Sequence, residues 1–251
     1  MNFDIIPLGP FTIKIYGLLL AIIFTLFSWQ YYKKITKKKL GVEVFVHRFW
    51  LWVLSGIVFG RVVEVLLNLD MLTKSGLMGL VAFWENGLNP FGVALGVTLM
   101  MLWDLRKSES PIISWFDAGI LPFFFALMLI DIAGFLTGAI YGLPSDLPWA
   151  ITYETMSVSI VDPVHPVTLY ALLLHILVFR YLKSNEKGLL RTPGRLTIYG
   201  LIFYCLINIF VLFLRGDESH MILSWLRLDQ LLHFIAIIGL YVLGKFILKN
   251  S

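Results

Sequence analysis

The chain has 251 residues, 59% of them hydrophobic and only 14% charged, with a formal charge of +4. Soluble domains carry about a quarter charged residues, whereas these apolar runs approach the ~20 residues a bilayer span needs. The composition therefore excludes a soluble globule and a nucleic-acid surface, and the single cysteine, Cys205, excludes a disulfide framework or a thiolate metal site.

The apolar runs do not alternate polar and apolar positions as barrel strands do, so the expected class is all-α and polytopic. Residues 1–12 are short and mostly uncharged, with Pro7, Gly9 and Pro10 where a cleavable signal peptide would carry basic residues. Span one is expected over 13–32 and runs into Lys33, Lys34, Lys37, Lys38 and Lys39, which places that end in the cytoplasm and the amino terminus outside. Span two covers 49–69 and contains Arg61 and Glu64. Span three covers 88–103, with Pro90 and Gly92 at its outer end and Arg106-Lys107 beyond its inner end. Span four covers 112–136, with Asp117 near its start and Asp131 near its end. A Gly/Pro-rich loop without Lys or Arg follows, and His165-Pro166 opens span five over 168–182. Spans six and seven cover 196–214 and 228–248. With seven spans and a cytoplasmic carboxyl terminus, 15 of the 20 basic residues fall on the inner side, as the positive-inside rule requires. No repeat or linker divides the chain, so 1–251 reads as a single domain.

A charge near mid-bilayer costs about 2.5–3.5 kcal/mol or more and so faces the bundle interior with a partner. Arg61 and Glu64, three residues apart, share one helical face. They form either a structural pair or a site in which Arg61 meets a lipid phosphate. Asp131 has no basic residue within a turn. It pairs with Arg61 across the bundle, lies at an aqueous cavity, or is held neutral by burial. Asp117 reads as a helix-end group. His165 is placed to act as a base or to hydrogen-bond an ester, or simply to cap a helix, while His175 and His233 read as core histidines. No histidine pair has zinc-ligand spacing. Arg215-Gly216-Asp217-Glu218 reads as a solvated loop from which Arg215 reaches a headgroup.

Several motifs together carry a specific resemblance. They are Leu8-Gly9-Pro10-Phe11-Thr12-Ile13-Lys14-Ile15-Tyr16-Gly17-Leu18, Gly60-Arg61, Trp84-Glu85-Asn86-Gly87-Leu88 with Gly92 and Gly96, Tyr141-Gly142-Leu143-Pro144-Ser145-Asp146-Leu147-Pro148-Trp149, and His165-Pro166 with Leu169-Tyr170. Over nearly its whole length the chain resembles the bacterial prolipoprotein diacylglyceryl transferase family. The resemblance implies seven spans with the amino terminus outside, in the bacterial cytoplasmic membrane. It also implies movement of diacylglyceryl from phosphatidylglycerol to the lipobox cysteine thiol of a prolipoprotein, without metal or organic cofactor, by a monomer. It implies chemistry by His165, Tyr16 and Tyr204, and substrate binding by Arg61, Arg215, Asp131, Gly142, Tyr170 and Gln230.

The departures are specific too. Phe91 stands for the family's histidine, Asp131 for an arginine, Gly134 for an asparagine, and Ala139 and Ala171 for glutamates; Leu143, Asn208 and Leu212 replace further charged groups. Inverting a charge beside an anionic headgroup is a swing of several kcal/mol at about 4 Å and an effective dielectric near 20. Three readings follow: a divergent active transferase, a catalytically silent relative that binds lipid, a lipoprotein signal segment or a membrane partner, and a transferase for a different lipid that uses Asp131 as acid or base.

Overall fold

A computed structural model describes residues 5–8, 11–69, 87–106, 111–153, 162–216, 221–223 and 226–249. Trp84-Glu85-Asn86, Lys74, Lys107 and Asp217-Glu218 lie outside the described residues. The architecture is helical. The helices are α1 (Ile15–Lys38), α2 (Val42–Leu67), α3 (Pro90–Leu105), α4 (Ile112–Thr137), α5 (Val167–Ser184), the one-turn α6 (Glu186–Leu189), α7 (Arg195–Leu214) and α8 (Leu228–Lys249). Two short antiparallel hairpins, β1 (Ile5–Leu8) with β2 (Phe11–Lys14) and β3 (Met221–Leu223) with β4 (Leu226–Arg227), were not expected from the sequence. Among the described residues, six helices are long and apolar enough to cross a bilayer, and α3, at 16 residues, is a shorter apolar helix.

The chain divides into two compact units, Met1–Lys34 with Phe116–Ser251, and Ile35–Trp115. In the second unit, Gly41 adopts a left-handed φ of 84° and lets the chain turn directly into α2. Helices α2 and α3 then pack through small residues. A Cβ at Gly92 or Gly96 would collide with α2 backbone, and the Ser55 hydroxyl donates to the Gly96 carbonyl at 2.9 Å. Close backbone approach of this kind drives helix association where lipid is as apolar as the side chains. Asn89 caps α3, its side-chain oxygen accepting from the Phe91 and Gly92 amides, with Pro90 at the first helical position. Arg48 and Trp52 both donate to the Asp104 carboxylate, at 2.6 and 2.7 Å.

In the first unit, α4 supplies Ile120, Leu121 and Phe124 to a core completed by Leu182, Leu196 and Ile207. A polar clamp fixes the basic-run end of α7. The buried Asp117 carboxylate accepts from the Gly194 amide (2.7 Å), the Thr197 amide (2.9 Å) and the Thr197 hydroxyl (2.6 Å). These are amides that the start of a helix leaves without partners, so Asp117 serves the end of α7 rather than the end of its own helix α4. Lys34 pairs with Glu186 at 2.5 Å, and Lys33 lies 3.4 Å from the centre of the Trp29 ring.

Candidate functional site

The Tyr141–Pro144 segment is the hub of the first unit's connecting loops. Gly142 pairs with Arg215 in an antiparallel bridge. The Leu143 amide donates to the Leu214 carbonyl (2.8 Å), the Gly216 amide to the Tyr141 carbonyl (3.0 Å) and the His165 amide to the Leu143 carbonyl (3.0 Å). One short strand is thus stitched on one side to the end of α7 and on the other to the residue before Pro166. Only glycine fits at its centre. A Cβ on Gly142 would collide with the His165 carbonyl oxygen, lie 2.6 Å from the His165 Cβ and 2.9 Å from a Val167 methyl, and the Gly142 carbonyl itself packs on Gly216. Gly142 therefore acts through the backbone, setting His165 and Arg215 on either flank.

His165 and Tyr170 meet on the next turn. The Trp149 indole donates to the Tyr170 hydroxyl oxygen at 2.8 Å, and that oxygen lies 3.4 Å from His165 Nδ1. With the indole occupying an acceptor position of the phenol, the phenolic proton is free to point at Nδ1. Across this contact either the phenol donates to Nδ1, leaving the His165 proton on Nε2, or Nδ1–H donates to the oxygen's second lone pair.

Arg215 ends α7 in extended backbone (φ −78°, ψ 136°), and its carbonyl accepts from the Arg227 guanidinium. The Tyr16 hydroxyl lies within electrostatic reach of both Arg215 and Asp131, and the Tyr204 hydroxyl within reach of Arg215. Tyr204 packs edge-on against Phe123 at 5.2 Å, and the His233 ring lies tilted beside it at 5.8 Å. Gln230 is fully buried, and its carboxamide is used internally: Oε1 accepts from the Arg227 amide at 3.0 Å and Nε2 faces the Ile209 carbonyl at 3.4 Å. It fastens α8 to α7. Arg61 belongs to the other unit, where it is buried and donates to the Gly87 carbonyl at 3.2 Å; Glu64 accepts from the Asn68 amide nitrogen at 2.7 Å.

Asp131 has a partner that the sequence reading left among the core histidines. Its Oδ2 lies 2.6 Å from His175 Nδ1, both side chains buried between α4 and α5. Gly134, one turn on, packs against the Thr168 methyl and allows the close approach of the two helices. His175 was missed because nothing on its own helix marks it; 44 residues separate it from Asp131. The available signal was the unbalanced carboxylate, which demanded a cation or donor from another span.

The chain matches the prolipoprotein diacylglyceryl transferase family over residues 4–244. It is similar to a protein of Sinorhizobium medicae named phosphatidylglycerol–prolipoprotein diacylglyceryl transferase, 27% identical over 96% of this chain and 90% of that protein. Proteins of the same name from Agrobacterium fabrum (30% identical; 73% of this chain, 67% of the relative) and Brucella canis (26%; 96% and 90%) are also similar.

Proposed function

The chain belongs to the prolipoprotein diacylglyceryl transferase family, and we propose that it moves the diacylglyceryl group of phosphatidylglycerol to the lipobox cysteine thiol of a prolipoprotein, releasing glycerol-1-phosphate. The observation that carries this reading is the Gly142 clamp, which fastens Arg215 and His165 to one strand with Tyr16 and Tyr204 in electrostatic reach of the guanidinium. A departing phosphate needs cationic and hydrogen-bonding groups aimed at the charge it develops. Arg215 is the cation. The two phenols and the His165 Nε2–H are the donors. Tyr170 holds His165 in that tautomer, and Gln230 holds the α7–α8 end that carries Arg215. Asp131 is proposed as a group at the headgroup's edge, and Arg61, in the other unit, as a substrate-binding residue in its own right.

The proposal includes one functional domain over 1–251 and seven spans. The 16-residue α3, about 24 Å long at 1.5 Å per residue, crosses as the short seventh. The amino terminus is outside and the carboxyl terminus in the cytoplasm of a bacterium, in keeping with the basic residues after α1, α3 and α5. The chain works as a monomer, without cofactor.

The test mixes purified protein in detergent with phosphatidylglycerol and a lipobox peptide and follows glycerol phosphate release. Turnover that falls at least about a hundredfold in Arg215→Ala and Arg61→Ala, on the scale of removing one oxyanion donor, is expected. A second reading, a silent relative that holds lipid or a signal segment, is favoured by one observation: Asp131, the residue at the expected arginine position, is a carboxylate already engaged by His175. Phospholipid binding without turnover would select it.

A further inference from the structure

We infer that Asp131 and His175 form a base dyad in which His175 Nε2 takes the proton of the acceptor thiol. The inference rests on the transfer reading above and supplies the group that reading lacks. In the transfer reading His165 serves as a donor beside Tyr170, and position 91 is phenylalanine, so the base that a thiol nucleophile requires is to be sought elsewhere.

The geometry of the pair is that of an oriented base. Asp131 Oδ2 sits 2.6 Å from His175 Nδ1. With Asp131 ionised, its carboxylate only accepts, which places the imidazole proton on Nδ1 and the lone pair on Nε2. That Nε2 is buried and has no hydrogen-bond partner among the described residues. Leaving a buried acceptor empty is costly, and a donor brought to it is correspondingly favoured; a thiol S–H is such a donor. The ring is held edge-on by Phe124, with centroids 5.8 Å apart. The charged and titratable groups within electrostatic reach are Asp131 itself and, on the α1 side, the Tyr16 hydroxyl, which is also in reach of Arg215.

Asp131 lies six residues from the end of α4 at Thr137 and His175 eight residues from the start of α5 at Val167. At 1.5 Å per residue these are about 9 and 12 Å inside the helix ends, below polar layers of about 5–8 Å, so in this inference the acceptor thiol enters the bundle to meet Nε2. In the step itself the S–H proton passes to Nε2, and the imidazolium is stabilised by the Asp131 carboxylate. The sulfur forms a bond to the terminal glycerol carbon of the diacylglyceryl group. The bond from that carbon to the phosphate oxygen breaks, its electron pair leaving with glycerol-1-phosphate. The proton returns from His175 to that phosphate or to water, and nothing is oxidised or reduced.

The test compares the unaltered protein with His175→Ala, Asp131→Asn and Asp131→Glu in the phosphatidylglycerol–lipobox peptide assay, together with 15N spectra of histidine-labelled protein. The expected result is a loss of kcat of about 10²–10⁴-fold in His175→Ala and Asp131→Asn with little change in KM for phosphatidylglycerol. Asp131→Glu recovers part of the rate. In the spectra a neutral His175 of the unaltered protein carries its proton on Nδ1. Turnover by the unaltered protein that survives His175→Ala overturns the dyad and leaves the transfer reading standing. If that variant does not fold, a proton on Nε2 in the unaltered protein overturns the dyad by itself. No turnover by the unaltered protein removes the transfer reading and the dyad's role with it.

Discussion

Replacing Gly142 with alanine tests the clamp most directly. The new Cβ would lie 2.6 Å from the His165 Cβ and 2.9 Å from a Val167 methyl, where carbon–carbon contacts settle at about 3.5–4.0 Å. The gap must open by about 1 Å, yet the strand is tied on both sides, to Leu214 at 2.8 Å and to His165 at 3.0 Å. Relief therefore breaks at least one backbone bond, about 0.5–1.5 kcal/mol, or strains the packing by about 1–3 kcal/mol. Neither unfolds a protein with several intact helix contacts. A displacement of about 1 Å between Arg215 and His165 is different, because misplacing reacting groups by that much costs about a hundredfold in rate. Gly142→Ala is thus expected to remain folded, with a modestly lower melting point in detergent, and to lose about two orders of magnitude in glycerol phosphate release. Initial rates and melting curves measured on the same preparation decide it. A rate within threefold of the unaltered protein, with unchanged melting, would refute the claim that this strand positions the site.

Other consequences can be checked in parallel. Asp117→Asn keeps one acceptor oxygen but turns an amide N–H toward one of its three donors; it is expected to cost about 2–3 kcal/mol of stability while turnover per folded molecule is unchanged, read from denaturation midpoints and rates. Gly96→Ala drives a Cβ into the Ser55 carbonyl and to 2.7 Å from the Phe59 Cβ; a loss of about 1–3 kcal/mol should appear as a lower melting point. Tyr170→Phe removes the acceptor for Trp149 and the group facing His165 Nδ1. Its rate should fall about tenfold, the worth of one hydrogen bond to a reacting group, with a shift in Trp149 fluorescence and no change in melting.

The helices were legible in the sequence because each span must satisfy its own backbone hydrogen bonds in lipid, so long apolar runs leave little choice. Four expected spans match α4, α5, α7 and α8 to within two residues at each end, whereas α1 runs six residues past the end of span one and α2 begins seven residues before span two. Span three is the informative case. Pro90 and Gly92 signalled an unusual start, but Asn89 as its cap was missed, since a cap only becomes visible once the helix start is known. The hairpins were illegible because their strands are two to four residues long, too short for any period to register. At the site, Gly142, His165 and Arg215 were each singled out, but not that backbone bridges join them; those bonds connect segments dozens of residues apart. Gln230 carries its own lesson. The sequence singles out a buried amide but not its contacts, here the Arg227 amide and the Ile209 carbonyl.

The Asp131–His175 pair allows structure and chemistry to be separated, because buried ion pairs respond asymmetrically to mutation. Removing one partner leaves an uncompensated polar group and typically costs about 3–5 kcal/mol, whereas replacing both with apolar residues of similar size is often neutral or stabilising by about 1–4 kcal/mol. Both side chains here are at most 10% exposed, so solvent screening does not soften the effect. Asp131→Arg, which restores the cation expected at this position, should therefore fail as a repair: it sets a guanidinium against His175 and is expected to lower stability by about 3–5 kcal/mol. The double variant Asp131→Leu/His175→Leu should melt at or above the temperature of the unaltered protein. If the pair only holds α4 to α5, the double variant will turn over normally. If it removes the thiol proton, the double variant will be the more stable protein and an inactive one, and no argument from misfolding can account for the loss.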